Sequence, residues 1–157
     1  MDLIIRSAAA TDADAAGSLY LRARCAAADS GSIPLPAHSD DEVSDWIRRV
    51  VIPRRGCWVA QTPGGEVVGL LVLAGDWIDQ LYVDPDLTGR GIGAQLLDLA
   101  KRERPQGLRL WTFVSNDGAQ RFYERHGFSD AERTDGTRNE ERAPDIRYVW
   151  TGSLPPG

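Results

Sequence analysis

The stretch at residues 87–101, LTGRGIGAQLLDLAK, decides how this chain folds. Its three glycines alternate with Arg90 and Ile92, and a helical spacing of apolar residues begins directly after them. A strand pattern ends at 83–85, so free N–H groups of the loop and the positive end of a helix converge on one place. Glycine permits positive φ and lets the backbone approach an anion closely. An ordinary strand-to-helix turn explains one glycine but explains three poorly, so the stretch predicts a phosphate-binding loop.

The size and charge of the chain restrict its class. The 157 residues are 42% hydrophobic and 26% charged, which predicts a single domain over 1–151 with a disordered tail at 152–157. The formal net charge of -5 argues against a nucleic-acid binder and a binder of anionic membranes. Cys25 and Cys57 lie in no metal-binding cluster, and the N-terminus lacks a signal-peptide pattern. We therefore expect a cytoplasmic protein without a bound metal.

Periodicity and turn residues predict alternating strands and helices. A capping box opens the second helix at Ser39 and Glu42, and Pro53 is expected to stop it. The predicted helices cover about 11–28, 39–52, 92–104 and 118–126. The predicted strands cover 3–6, 57–61, 66–74, 77–83, 108–114, 128–134 and 145–151.

The order of these elements predicts the sheet. The three successive strands between 57 and 83 form an antiparallel meander. The helix that follows 83 returns the chain for a right-handed crossover, so the strand at 108–114 runs parallel to the one before it. The fold class is therefore α/β, with a mostly antiparallel central sheet.

Two phosphate ligands compete for the glycine loop. The letters GRGIGA at 89–94 satisfy the dinucleotide pattern G-x-G-x-x-G/A, with Asp117 as the candidate ribose ligand. A dinucleotide fold, however, places this pattern in its first βαβ unit and continues with parallel strands, whereas a meander precedes it here. Asp117 also fits a helix cap. The nicotinamide alternative therefore depends on the glycine pattern alone.

Two blocks of sequence resemble a known family. Residues 80–100, QLYVDPDLTGRGIGAQLLDLA, are similar to the acetyl-CoA signature of the GNAT N-acetyltransferases, (Q/R)-x-x-G-x-(G/A) after a strand L-x-V-x-P. Residues 116–128, NDGAQRFYERHGF, are similar to that family's N-x-x-A-x-x-F-Y-E-x-x-G-F block. Thr88 departs from the pattern, because the family usually has Gln or Arg there. The resemblance covers most of 3–150 and implies a GNAT-type sheet with helices on both faces and one splayed parallel strand pair.

The resemblance also implies an acetyl-CoA site and no metal. The pantetheine arm would pair with the backbone of the fourth strand, and the pyrophosphate would bind N–H groups of the glycine loop. Arg90 would add charge, and Asn116 would hold the arm further along. The residues assigned to acetyl-CoA in this way are Leu81, Tyr82, Val83, Thr88, Gly89, Arg90, Gly91, Ile92, Gly93, Ala94, Asn116 and Tyr123.

Direct attack of an amine on the thioester needs a base, oxyanion donors and an acid. The resemblance puts Tyr123 near the sulfur, where a phenol can protonate the thiolate, and backbone N–H groups near Leu81 can bind the oxyanion. Strand alternation puts Asp79 on the face of Leu81, which makes Asp79 the candidate general base. Glu140 and Glu141 are alternatives, although a charged loop is usually solvated surface.

The acceptor is less defined. We expect the first two helices, with His38 and Trp46, and the loop at 135–145 to surround it. The sequence thus predicts an acetyl-CoA-dependent N-acetyltransferase of a small-molecule or peptide amine. A catalytically silent acyl-CoA sensor is the alternative, and a homodimer through exposed strand edges is compatible with the pattern.

Overall fold

The computed structural model describes residues 2–31 and 39–152. Seven strands form one sheet in the order β1-β2-β3-β4-β5-β7-β6. The strands are β1 Ile4–Ser7, β2 Gly56–Gln61, β3 Val67–Ala74, β4 Trp77–Val83, β5 Leu108–Phe113, β6 Ser129–Thr134 and β7 Asp145–Trp150. The helices are α1 Ala13–Asp29, α2 Asp40–Trp46, α3 Ile52–Arg54, α4 Ile92–Glu103 and α5 Asp117–Arg125, with short 3-10 turns at Ala10–Asp12 and Pro85–Leu87.

The predicted fold class is confirmed. The neighbouring strands pair antiparallel except β4 with β5, which are parallel and connected through α4. Beyond Gly152, the predicted disordered tail lies outside the described residues. None of the helices in the described part of the chain is long and apolar enough to cross a membrane.

Each face of the sheet carries its own apolar core. Alternation along β3 sends Leu70 and Val72 to the face covered by α1 and α2, and Leu71 and Leu73 to the face covered by α4 and α5. All four side chains are buried, as expected for a central strand covered on both sides.

The second helix departs from its predicted end. Ser39 caps it as expected, since its hydroxyl accepts a hydrogen bond from the Glu42 N–H at 3.3 Å. Pro53 does not stop it, however, because the helix continues through a π turn at Ile47–Val51 into α3. In the π turn the Ile52 N–H donates to the Ile47 carbonyl five residues back, so the regular helical hydrogen-bond spacing is already interrupted where Pro53 contributes no N–H. The prediction for Pro53 was therefore wrong.

The parallel pair β4 and β5 is splayed, as predicted. Both strands are fully described, and they pair only at Trp77 with Arg109. At this closed end the Trp77 and Trp111 rings stack with centroids 6.4 Å apart, and Arg109 forms an ion pair with Asp76 at 3.1 Å. Beyond this point the two strands form no further backbone pairs.

Gly69 gives a stability prediction. It lies on β3 under α4, and an added Cβ would come within 2.8 Å of Leu96 Cδ1 and 3.0 Å of Ala60 Cβ. We expect Gly69→Ala to lower the free energy of unfolding by about 1–3 kcal/mol, because overpacking displaces neighbours. Urea unfolding measures this change. Gly64→Ala, in an exposed turn with its nearest neighbour at 3.8 Å, is the control and should change stability little. Equal losses in both variants would contradict the packing argument.

Candidate active site

The glycine loop has the geometry of an anion site. Gly89 has φ of 79° and Gly91 has φ of 83°, and α4 begins at Ile92 directly after them. An added Cβ at either glycine meets no heavy atom within 4 Å, so the space above the loop is open. The first N–H groups of α4 have no partner within the helix, and they carry its positive dipole. The loop can therefore donate several hydrogen bonds to a phosphate.

A cavity of about 680 Å³, here called cavity A, adjoins this loop. Predicted residues that line it are Leu81, Val83, Thr88, Gly89, Gly91, Ile92, Gly93, Ala94 and Tyr123. Arg90 is exposed and is not among its described lining residues. The sequence analysis missed Phe122, Arg125 and His126, which also line it. Their place in the second family block, on the helix that carries Tyr123, was the signal that could have found them.

Cavity B, of about 220 Å³, occupies the gap between β4 and β5. Leu81, Ala119 and Tyr123 line both cavity A and cavity B, so the two cavities meet at these side chains. Tyr82 and Asn116 also line cavity B. The Asn116 side chain caps α5, because its Oδ1 accepts a hydrogen bond from the Ala119 N–H at 3.2 Å.

Tyr123 is 8% exposed and stands at this junction. Its ring packs edge-on against Phe122 and Phe128, with centroids 5.1 and 5.4 Å away. Burial, and to a lesser extent the neighbouring Tyr82, raises the pKa of Tyr123 well above its ordinary value. The phenol therefore keeps its proton at neutral pH, which is the state that a proton donor requires.

Asp79 lies where β4 contains an extra residue. Val72 pairs with Gln80 and Leu73 pairs with Ile78, so Asp79 has no partner on β3 and forms a β-bulge. The bulge interrupts the strand alternation on which the placement of Asp79 on the face of Leu81 was based. Asp79 still lines cavity B together with Leu81, and its carboxylate forms an ion pair with Arg55 at 2.5 Å.

Cavity C, of about 460 Å³, lies on the opposite face of β4. Its described lining comes from the two helices and the loop that were expected to surround the acceptor, together with one residue of the β4 bulge. The residues are Tyr20, Arg24, Glu42, Val43, Trp46, Gln80, Glu140 and Glu141. Gln80 also lines cavity B, so cavities B and C lie next to each other at this residue. His38 lies outside the described residues.

Arg24 is 7% exposed and occupies the wall of cavity C. Its Nη1 donates to the Tyr20 hydroxyl and its Nη2 to Glu141 Oε1, each at 3.2 Å. Its Nε is buried and has no hydrogen-bond partner among the described residues. Among all the residues that the structure describes, no group of three or more His, Cys, Asp or Glu is placed to hold a metal ion.

Comparison with known proteins identifies the family. A family model described as "Acetyltransferase (GNAT) domain" matches residues 53–130, and a curated relative covers 82% of the chain at 32% identity. The chain therefore belongs to the GNAT acetyltransferases. That relative is the peptidyl-lysine N-acetyltransferase YjaB of Escherichia coli K12, 86% of which is covered. The YjaB of Salmonella typhimurium is 35% identical over 63% of this chain and 64% of its own length.

Solved structures agree with this assignment. The solution structure of apo YjaB from Escherichia coli superposes with a TM-score of 0.76 at 26% identity, covering 98% of this chain and all of that one. The structure of yncA from Salmonella typhimurium with its cofactor acetyl-CoA has a TM-score of 0.70 at 17% identity, covering all of this chain and 97% of that one, and shows the shared fold.

The chain is an acetyltransferase that uses acetyl-CoA as its donor. The predicted family, fold and cofactor are confirmed, and a silent acyl-CoA sensor is not favoured. Acetyl-CoA brings the activated thioester. The protein must orient this thioester, bind the acceptor beside it and carry out the proton transfers.

Proposed function

We propose that the chain transfers the acetyl group to a primary amine by direct attack, with the side chain of a peptide lysine as its first candidate acceptor. One observation carries this proposal. Cavities A and B share Leu81 and Tyr123, and cavities B and C share Gln80. The three cavities therefore adjoin one another in the order A, B, C, from the glycine loop to a pocket rich in carboxylates. Donor and acceptor can enter from opposite faces and meet in the gap between β4 and β5.

The donor lies in cavity A. Its pyrophosphate binds the N–H groups at residues 89–94, and the pantetheine arm runs along β4 at 81–83, where β5 has diverged and leaves strand edge unpaired. Arg125 lines the same cavity and can add positive charge near the phosphates, and the His126 ring lines it as well. The thioester then reaches Tyr123.

Tyr123 is the proposed general acid at the leaving sulfur. Its phenol stays protonated at neutral pH because burial raises its pKa, and it donates a hydrogen bond that strengthens as charge builds on the sulfur. The backbone N–H near Leu81 serves the oxyanion.

Asp79 is the proposed proton acceptor for the attacking ammonium. It is the one carboxylate among the described lining residues of cavity B, and the bulge puts it between Gln80 and the closed end of the strand pair. Arg55 fixes the direction of the carboxylate. Glu140 and Glu141 line cavity C and belong to the acceptor side of the site.

The lysine acceptor comes from the relatives. YjaB is named a peptidyl-lysine N-acetyltransferase, and cavity C carries the carboxylates that suit an ammonium group. A homodimer through the sheet edges at β1 and β6 stays a prediction.

Acetylation of a peptide tests the proposal. A short peptide with one lysine and both ends blocked should release CoA thiol from acetyl-CoA and gain one acetyl group by mass spectrometry. The same peptide with arginine in place of lysine should do neither. If acetyl-CoA binds but no primary amine increases thiol release, the proposed amine acetylation fails.

A second prediction concerns the base. We expect Asp79→Asn to lower kcat about tenfold, less than the usual 10²–10⁴ contribution of a general base, because the carboxylate shares its charge with Arg55. The dissociation constant of acetyl-CoA should not change. Asp76→Asn is the control, since Asp76 also pairs with an arginine but lines none of the three cavities. Equal losses of kcat in both variants would contradict the role of Asp79.

A further inference from the structure

The glycine loop is short and lies between two structured segments. After the loop, α4 begins at Ile92, whose side chain is buried. Before the loop, the 3-10 turn Pro85–Leu87 ends directly at Thr88. Residues 88–91 alone connect the two segments, and Gly89 and Gly91 among them have positive φ. A segment with these glycines has much conformational freedom, so the position of its N–H groups depends on how both ends are held.

Asp84 holds the end of the loop that lies nearer to β4. The residue is 9% exposed. Its Oδ1 accepts a hydrogen bond from the Asp86 N–H at 3.0 Å, inside the 3-10 turn. Its backbone N–H donates to the Val68 carbonyl, and its carbonyl accepts from the Leu87 N–H, each at 2.9 Å. The turn before the glycine loop is therefore hydrogen-bonded to both the side chain and the backbone of Asp84, which itself bonds to β3.

The second carboxylate oxygen of Asp84 connects this turn to α1. Oδ2 accepts a hydrogen bond from Arg22 Nη1 at 3.1 Å, and Arg22 belongs to α1. This helix packs in the core on its face of the sheet, where Leu19 is fully buried. It also carries Ala23 and Ala27, which line cavity B. A buried carboxylate that loses its charged partner is costly, so the Arg22 contact restricts where Asp84 can lie.

A ligand binds more tightly to a loop that already has its bound geometry, because less ordering is needed on binding. We infer that Asp84 is a positioning residue of the donor site and that Arg22 acts through Asp84. Together they hold the start of the glycine loop so that its N–H groups are in place before acetyl-CoA binds. Neither residue is among the described lining residues of cavity A. Donor affinity then depends on α1, a helix that also borders cavity B. The inference rests on the proposed placement of the donor along this loop.

Variants on both sides of the ion pair test the inference in the full chain. Asp84→Ala removes both side-chain contacts and should raise the dissociation constant of acetyl-CoA about tenfold, whereas Arg22→Met keeps the bond to the turn and should raise it about threefold. The double variant should bind no more weakly than Asp84→Ala alone, because Arg22 acts through Asp84. Calorimetric titration measures these constants. Additive effects in the double variant would overturn the role of Arg22.

Steady-state kinetics distinguishes positioning of the loop from general damage. The KM of acetyl-CoA should rise in both variants, while kcat at saturating donor stays within about twofold, because neither residue lies at the reacting atoms. Arg22→Lys keeps a charged donor and should restore most of the affinity. If kcat at saturating donor falls as much as the affinity does, Asp84 does not act by positioning the donor loop.

Asp12→Ala is the matched control. Asp12 is also 9% exposed, its carboxylate accepts from the Ala9 N–H at 2.7 Å beside a 3-10 turn, and it pairs with Arg6 at 2.8 Å. It lines none of the three cavities among the described residues. This variant should lose as much resistance to urea as Asp84→Ala and bind acetyl-CoA normally. Equal losses of donor affinity in both variants would overturn the inference.

Gly91→Ala separates failure of this inference from failure of the donor placement. If Gly91→Ala binds acetyl-CoA more weakly while Asp84→Ala and Arg22→Met bind it normally, the inference alone is refuted. If all three variants bind it normally, the donor does not lie on this loop, and the inference fails with the placement. The Arg22 side chain is 48% exposed, so Arg22→Met gives a folded test even if Asp84→Ala does not fold. An unchanged dissociation constant in Arg22→Met then overturns the inference.

Discussion

Tyr123→Phe should lower kcat about a thousandfold, the middle of the range for a general acid, and should leave the dissociation constant of acetyl-CoA unchanged. The variant loses only the hydroxyl, and the ring contacts with Phe122 and Phe128 remain. Steady-state kinetics measures kcat, and calorimetric titration measures donor binding. The loss falls on kcat because the hydroxyl is needed when charge develops on the thiolate.

Tyr148→Phe is the matched control for this prediction. Tyr148 is buried and donates to Glu124 at 3.2 Å, but it lines none of the described cavities. The control should lose some stability and keep kcat. A Tyr123→Phe variant with normal kcat would refute the acid role and leave the phenol as a packing group. A large rise in the dissociation constant of acetyl-CoA would instead assign Tyr123 to donor binding.

Gly91→Ala should raise the dissociation constant of acetyl-CoA about a hundredfold. The residue has φ of 83°, which costs a non-glycine residue about 1–2 kcal/mol, so the loop shifts. The N–H groups at the start of α4 then lose one or two charge-assisted hydrogen bonds to the pyrophosphate, each worth about 1.5–3 kcal/mol. Calorimetric titration of acetyl-CoA measures this effect.

Gly75→Ala separates loop strain from lost binding. Gly75 also has positive φ, 62°, and open space around it, but it lies in the turn between β3 and β4, away from cavity A. Both variants should lose similar stability, whereas only Gly91→Ala should lose donor affinity. If Gly91→Ala still binds acetyl-CoA as the unchanged chain does, the pyrophosphate does not lie on this loop.

The sequence predicts the local features well. The glycine loop and the helix after it each depend on residues that are close together in the sequence, so spacing suffices to find them. The meander and the crossover follow from the order of such elements. The bounds of β4 and α4 agree with the prediction for the same reason.

Features that depend on distant partners could not be read from the sequence. The bulge at Asp79 arises from pairing with β3, and no glycine or proline marks it. The pair of Arg24 and Glu141 joins residues 117 positions apart, and neither residue belongs to a motif. The continuation of the second helix past Pro53 depends on a π turn, a rare hydrogen-bond pattern without a composition signal.

The single pairing of Trp77 with Arg109 has a consequence for the sheet as a whole. Strands β1 to β4 and strands β5 to β7 are two hydrogen-bonded ribbons that share one seam, and most of that seam is open. If the pantetheine amides of the donor lie in this open part of the seam, they form the backbone hydrogen bonds with β4 that β5 does not form. The two ribbons are then held together more strongly while the donor is bound than after CoA has left. Slower amide hydrogen exchange along β4 would report that the seam is occupied.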